Sequence, residues 1–166
     1  MRTIIRLSRE LDNIMRKDLL RQHPFAAERI GFIGGVHSFL GENKYLIILK
    51  EYIAIADDNY IEDNTVGARI NGNAIRSAMQ HIIDTKQDMF HVHMHPFKHF
   101  PSMSYTDNKE IPPIIKNFRN VCANSINGIL ILSYTHYNAY INYPQMSDLI
   151  PTTEIKVVGF PFSLNV

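Results

Sequence analysis

The segment His91-Val92-His93-Met94-His95-Pro96, followed by Pro101, Ser104 and Asp107, concentrates the chemistry-bearing residues of this chain. In an extended strand, residues two apart project from the same face about 7 Å apart. Two imidazoles at that spacing can converge on one tetrahedral zinc, each at about 2.0–2.1 Å. The carboxylate of Asp107, returning from the intervening loop or the start of a helix, would complete a set of two histidines and one aspartate. Such a set leaves a fourth position for water, which separates a catalytic zinc from a structural one. The water's pKa then falls towards about 7, so that it can act as a nucleophile at neutral pH. Periodicity does not choose the pair: His91, His93 and His95 all alternate onto one face, so His91/His93 competes with His93/His95. Each residue also has a plainer role open to it. An H-x-H pair can pack in a half-buried strand, Asp107 can cap a helix, and Ser104 can be an ordinary loop residue.

The combination is more specific than its parts. His93-x-His95-Pro96 followed by Ser104-x-x-Asp107 resembles the signature of the JAMM (MPN+, JAB-domain) metallopeptidases, His-x-His-Pro, seven residues, Ser-x-x-Asp. Here eight residues, PFKHFPSM, separate His95 from Ser104. Upstream, Glu28-Arg29-Ile30-Gly31-Phe32-Ile33-Gly34-Gly35 is similar to the family's Glu-x-x-Gly-apolar-apolar-x-Gly segment, whose Glu is catalytic. Downstream, Gly128-Ile129-Leu130-Ile131-Leu132-Ser133 resembles the core strand that follows the family's metal site. The resemblance runs from position 28 to about 143.

The resemblance implies one zinc per chain held by His93, His95 and Asp107, with a bound water as nucleophile. Pro96 favours His93/His95 over the shifted pair, leaving His91 to line the site and His99 to stand in the loop near it. Glu28 would be general base and then acid, and Ser104 would donate to the oxyanion. Taken alone, Glu28 could equally be a surface carboxylate at a strand start, but neither Glu42 nor Glu51 precedes a matching glycine pattern. The implied fold is α+β and three-layered, an MPN/JAB cytidine-deaminase-like mixed β-sheet flanked by helices. The implied reaction is hydrolysis of an amide or isopeptide bond, commonly after the C-terminal glycine of a ubiquitin-like protein. The compact size resembles the prokaryotic stand-alone branch, whose members occur beside ubiquitin-like or sulfur-carrier proteins and their activating or conjugating enzymes. A hydrolase of small peptides or amide conjugates is the first alternative. A non-catalytic MPN scaffold is the second, and intact Glu28, His93, His95 and Asp107 weigh against it.

Composition is compatible with this reading. A chain of 166 residues suits one domain, and 45% hydrophobic with 20% charged residues is ordinary for a soluble globular protein. A net charge of +1 offers no phosphate-tracking surface, so nucleic acid is not favoured as a partner. The single cysteine, Cys122, excludes an internal disulfide and a multi-cysteine metal site and reads as a small buried residue. Charges at Arg2, Arg6, Arg9 and Glu10 leave no signal-peptide-like or membrane-spanning run, so a cytoplasmic location without membrane partners is expected.

The elements that must position the site follow from periodicity. We expect one domain over 1–166, with its core over about 28–143 and a C-terminal tail over 154–166. Strands are expected at 2–7, 28–36, 44–54, 89–95, 128–134, 137–143 and 154–164, with Gly34-Gly35 marking a bulge. A helix should start at Ser8 and end near Pro24, carrying Leu11, Ile14, Met15, Leu19 and Leu20. A second, over 72–86, should bury Ile75, Met79, Ile82 and Ile83. A third should run from Asp107 to Asn120 with Pro112-Pro113 in a first turn. The acidic stretch 55–69 reads as a solvated surface loop.

Overall fold

The computed structural model of the chain describes residues 1–159. Its elements are β1 (Arg2–Ser8), α1 (Arg9–Leu19), β2 (Ile30–Phe39), β3 (Lys44–Ala54), a 3-10 turn (Asp57–Asn59), α2 (Gly72–Thr85), β4 (Asp88–Met94), α3 (Tyr105–Val121), β5 (Asn127–Leu132), β6 (Tyr137–Asn142), β7 (Ile150–Pro151) and β8 (Glu154–Val158). The strands form one mixed eight-stranded sheet in the order β7-β6-β5-β4-β2-β3-β1-β8, so the class is α+β.

The middle of the sheet explains its own sequence. β4 runs parallel to β5 and antiparallel to β2, and every residue of β4 and β5 is buried. Strands covered on both faces favour apolar residues on both, which is why β5 reads as the apolar run Ile129–Leu132, while β4 interrupts that pattern at Asp88, His91 and His93. Phe90, Val92 and Met94 pack with Leu11, Met15 and Leu19 of α1 on one face. Met89 packs on the other with Ala74, Ala78 and Ile82 of α2 and Phe118 of α3, while Ile129 and Ile131 meet Ile111 and Ile115 of α3. The sheet is therefore sandwiched between α1 and the α2–α3 pair. By alternation, His91 and His93 share the face of Met89, towards α2 and α3.

Local signals held where the chemistry of the turn or cap is specific. Ser8 caps α1 by accepting from the Leu11 N–H at 3.1 Å. The β2–β3 pairing shifts register between Gly34 and Gly35, at the expected bulge. The β2–β3 connection takes Gly41, Glu42 and Asn43 through positive φ of 85°, 49° and 58°. β5 and β6 form the expected antiparallel hairpin. The tail pairs with β1 over Glu154–Val158, and the rest of the expected 154–164 strand beyond residue 159 lies outside the described residues.

Helix faces depart from expectation. α2 buries Ala74, Ala78 and Ile82, while Ile83 is 41% exposed: the alanine row lets the helix lie close to the sheet, and the neighbouring isoleucine rows flank that contact. Ile14 of α1 and Leu20, which caps its C-terminus, are likewise exposed. α3 begins two residues before Asp107, so Pro112 and Pro113 sit in its interior rather than its first turn. They leave the carbonyls of Asn108 and Lys109 without helical donors, and burial of Ile111, Ile115 and Phe118 against the sheet holds the helix together across that gap. Cys122 is half-buried. The acidic stretch is only partly solvated, since Asp57 accepts from Arg29 at 2.8 Å and Asp63 from Arg69 at 2.9 Å. Among the described residues no helix is long and apolar enough to cross a membrane.

Two measurements check this packing. Ile82→Ala should cost about 2–5 kcal/mol in urea unfolding, whereas Ile83→Ala should stay within about 0.5 kcal/mol of the parent; equal losses would reinstate the broader face. At the start of β4, the buried Asp88 carboxylate sits 2.9 Å from His37 Nδ1 and accepts from the Ile126 N–H at 2.8 Å. The hydrogen bond to Asp88 raises the His37 pKa above its ordinary 6.5, against an opposing effect of burial. A raised folded-state pKa stabilises the fold fully below pH 6.5 and loses that contribution as pH climbs through the folded value. The stability difference between the parent and His37→Ala should therefore shrink as pH rises through that window; a pH-independent difference would refute the pair's role.

Candidate metal centre

Three pieces of backbone meet at the C-terminal end of β4. β2 lies antiparallel to it with Phe32 opposite His91 and Ile30 opposite His93, and continuing that register two residues past the strand puts Glu28 across from His95. Parallel β5 places Ile131 beside His93, and the His95 N–H bonds to the Leu132 carbonyl at 2.8 Å, which extends the strand's direction through His95. α3, seated on β5 by Ile111 and Ile115, points its first turn at the same spot and delivers Asp107.

The side chains converge. His93 Nε2 and His95 Nε2 are 3.0 Å apart, and the Asp107 oxygens lie 3.5 Å from His93 Nε2 and 3.8 Å from His95 Nε2. Ligand atoms held about 2.0–2.2 Å from a tetrahedral centre stand about 3.3–3.6 Å from one another, so these three residues approximate one face of such a tetrahedron. Glu28, His93 and His95 also form a group whose ligand atoms all lie within 4.8 Å of one another and which can hold a metal ion. Of the two pairings open on periodicity, His93 and His95 are the ones whose Nε2 atoms meet. His91 lies deeper, fully buried, with its ring against those of Phe32 and His93. His99 is exposed and stacks on Phe97 at 3.8 Å.

The electrostatics suit cation binding. Burial pushes His91 down to about 3, and burial followed by the neighbouring His93 also lowers His95, so both rings are neutral at physiological pH and keep a lone pair. Burial pushes the Asp107 carboxyl up, but its contacts with His93 and the Ser104 donors outweigh that and hold it well below the usual range. Glu28 is raised, chiefly by burial, with His93 lowering it and Asp107 raising it further. A metal-binding imidazole ordinarily donates through its other ring nitrogen; the Nδ1 of His93 is buried without a partner among the described residues.

Ser104 has a second identity. Its Oγ accepts from the Asp107 N–H at 3.1 Å while an Asp107 oxygen accepts from the Ser104 N–H at 2.7 Å, a reciprocal capping box that begins α3. Ser104, not Asp107, is the N-cap, and Ser-x-x-Asp is the spacing that a capping box demands. The hydroxyl proton of Ser104 stays available to a further acceptor.

The site opens into a cleft of about 880 Å³. One of its walls, residues 63–70, falls almost wholly within the stretch 55–69 that reads in the sequence as a solvated surface loop. That wall is closed at its base by the Tyr60–Ile70 bridge and the Ile61 N–H to Arg69 carbonyl bond at 2.8 Å, and Gly67 accepts from the Glu28 N–H at 3.0 Å. Arg29 was also missed. Its buried guanidinium donates to the carbonyls of Arg21 and Gln22 and to Asp57, fixing the backbone next to Glu28. Neither feature has a signal in the sequence, because both depend on chain segments meeting from a distance.

No protein-family model matches the chain, and no curated protein does. Among solved structures it is similar to the Trichoplax adhaerens STIL N-terminal domain, at a TM-score of 0.39 and 7% identity. The match covers 81% of this chain and 38% of that one, so the chain spans well under half of that structure's length. A likeness at this level assigns neither a fold family nor a function.

The capping box can be tested through both of its consequences. Ser104→Ala should lower stability by about 1 kcal/mol and weaken binding of added zinc by about 10–100-fold, measured by urea unfolding and calorimetry. Unchanged affinity would mean that Asp107 is oriented without the cap.

Proposed function

We propose that this chain is a zinc-dependent hydrolase of the JAMM type on an MPN-like fold. Its substrate would be a peptide or isopeptide bond at the C-terminus of a ubiquitin-like or sulfur-carrier protein. The observation that carries the reading is the meeting of His93, His95 and Asp107 within 3.0–3.8 Å, with Glu28 beside them. The same four residues carry the sequence resemblance.

Bound zinc would supply Lewis acidity and bring the pKa of a coordinated water down towards about 7. With a metal bound, two imidazoles and the ionised Asp107 would make a ligand set of charge −1, which leaves a divalent cation electrophilic. Glu28, its pKa raised by burial, is tuned to take a proton from the attacking water and return it to the leaving amine. The free hydroxyl proton of Ser104 supports the oxygen on which negative charge develops. The wall at 63–70 lines the same cleft as Glu28, His93, His95 and Asp107, beside which a substrate's chain end would lie.

Metal analysis of the purified protein should find one zinc per chain, lost in His95→Ala. Glu28→Gln should keep the zinc and cut turnover by about 10²–10⁴-fold. The assay is cleavage of a ubiquitin-like protein fused through its C-terminal glycine to a reporter, with and without a chelator. Zinc retained in full by both His93→Ala and His95→Ala, or cleavage indifferent to the chelator, would sink the assignment.

A further inference from the structure

Among the described residues no hydrogen bond holds the Glu28 carboxylate, although its position decides whether it can move a proton. What stands against it is Gly67. A Cβ at Gly67 would lie 2.8 Å from Glu28 Oε2, 2.9 Å from its Cδ and 3.3 Å from its Cγ. Gly67 is not among the glycines with positive φ, so its backbone is one that any residue can adopt. Glycine at this position therefore provides room, not conformational freedom.

The backbone on both sides is held. On the wall, the Tyr60–Ile70 bridge, the Ile61–Arg69 bond and the Arg69–Asp63 ion pair at 2.9 Å restrain the segment that contains Gly67. At Glu28, the N–H bond to the Gly67 carbonyl and the three-way clamp of the adjacent Arg29 restrain the other side. The movable part is the carboxylate itself, at the end of a flexible side chain.

We propose that Gly67 is a positioning residue: the space left by its missing side chain is the seat of the Glu28 carboxylate. The wall at 63–70 thereby sets where the proton-transferring group stands relative to His93 and His95. The catalytic meaning of this seat rests on the hydrolase reading above, whereas the seat itself is a matter of geometry.

In a crystal structure of Gly67→Ala, the wall backbone should be unmoved and the Glu28 carboxylate displaced until its contact with the new methyl reaches the ordinary 3.4–4 Å. Zinc content and melting temperature should match the parent. With the reporter fusion, kcat should fall about 10²-fold at unchanged KM, the scale of loss expected for a catalytic group misplaced by about 1 Å. Gly67→Ala combined with Glu28→Gln should be no slower than Glu28→Gln alone, because both act on one group. A carboxylate left in place, an unchanged kcat, or a further loss in the double variant would overturn the proposal. If instead Glu28→Gln were as active as the parent, the hydrolase role of Glu28 would fail, and the crystal structure would still decide the seat.

Discussion

The antiparallel register between β2 and β4 is the constraint on which the site depends. It is enforced by burial on both faces, since a slip of one residue would turn Phe90, Val92 and Met94 out of the α1 core and drive the histidines into it. The cost of such a slip is several buried side chains at once. The packing that selects the register also aligns Glu28 with His95, although Glu28 contributes nothing to the core. The site thus takes its precision from apolar contacts on the opposite face of the sheet.

The polar groups at the end of β4 are an exception to the logic of the rest of the strand. His91 and His93 lie at positions otherwise given to apolar residues, and the Nδ1 of each is without a hydrogen-bond partner among the described residues. Burying imidazoles without full hydrogen bonding costs stability, and a core under no other demand would replace them. The opposite end of β4 shows the contrast: buried Asp88 there is satisfied by His37 and the Ile126 N–H. An incompletely satisfied cluster of buried imidazoles beside a carboxylate is an arrangement that could hold a cation.

How much of this was legible in the sequence depended on the range of the interaction. The bulge at Gly34-Gly35, the Ser8 cap and the β5–β6 hairpin are written in neighbouring residues and were read correctly. The His93/His95 spacing was legible for the same reason. The α2 face was misread because hydrophobicity favours Ile83, whereas the closeness of helix and sheet favours the smaller Ala74 and Ala78. Pro112-Pro113 suggests a helix start because proline's local preference is strong, yet the capping box of Ser104 and Asp107, nearer the loop, has already begun the helix. Gly67 was invisible because Glu28 lies 39 positions away, and Arg29 because its side-chain partner Asp57 lies 28 away and its other two acceptors are backbone carbonyls, which carry no residue-type signal.

The capping box also separates two lengths that would otherwise be coupled. Asp107 is placed by where α3 begins, and α3 is placed by Ile111 and Ile115 on β5, so the span from His95 to Ser104 does not determine the carboxylate's position. Within that span the Phe97 N–H closes a turn on the His95 carbonyl, and the Phe97 carbonyl accepts from the Tyr134 N–H of the β5–β6 connection. The helix start, rather than the length of the loop before it, carries the constraint on the carboxylate.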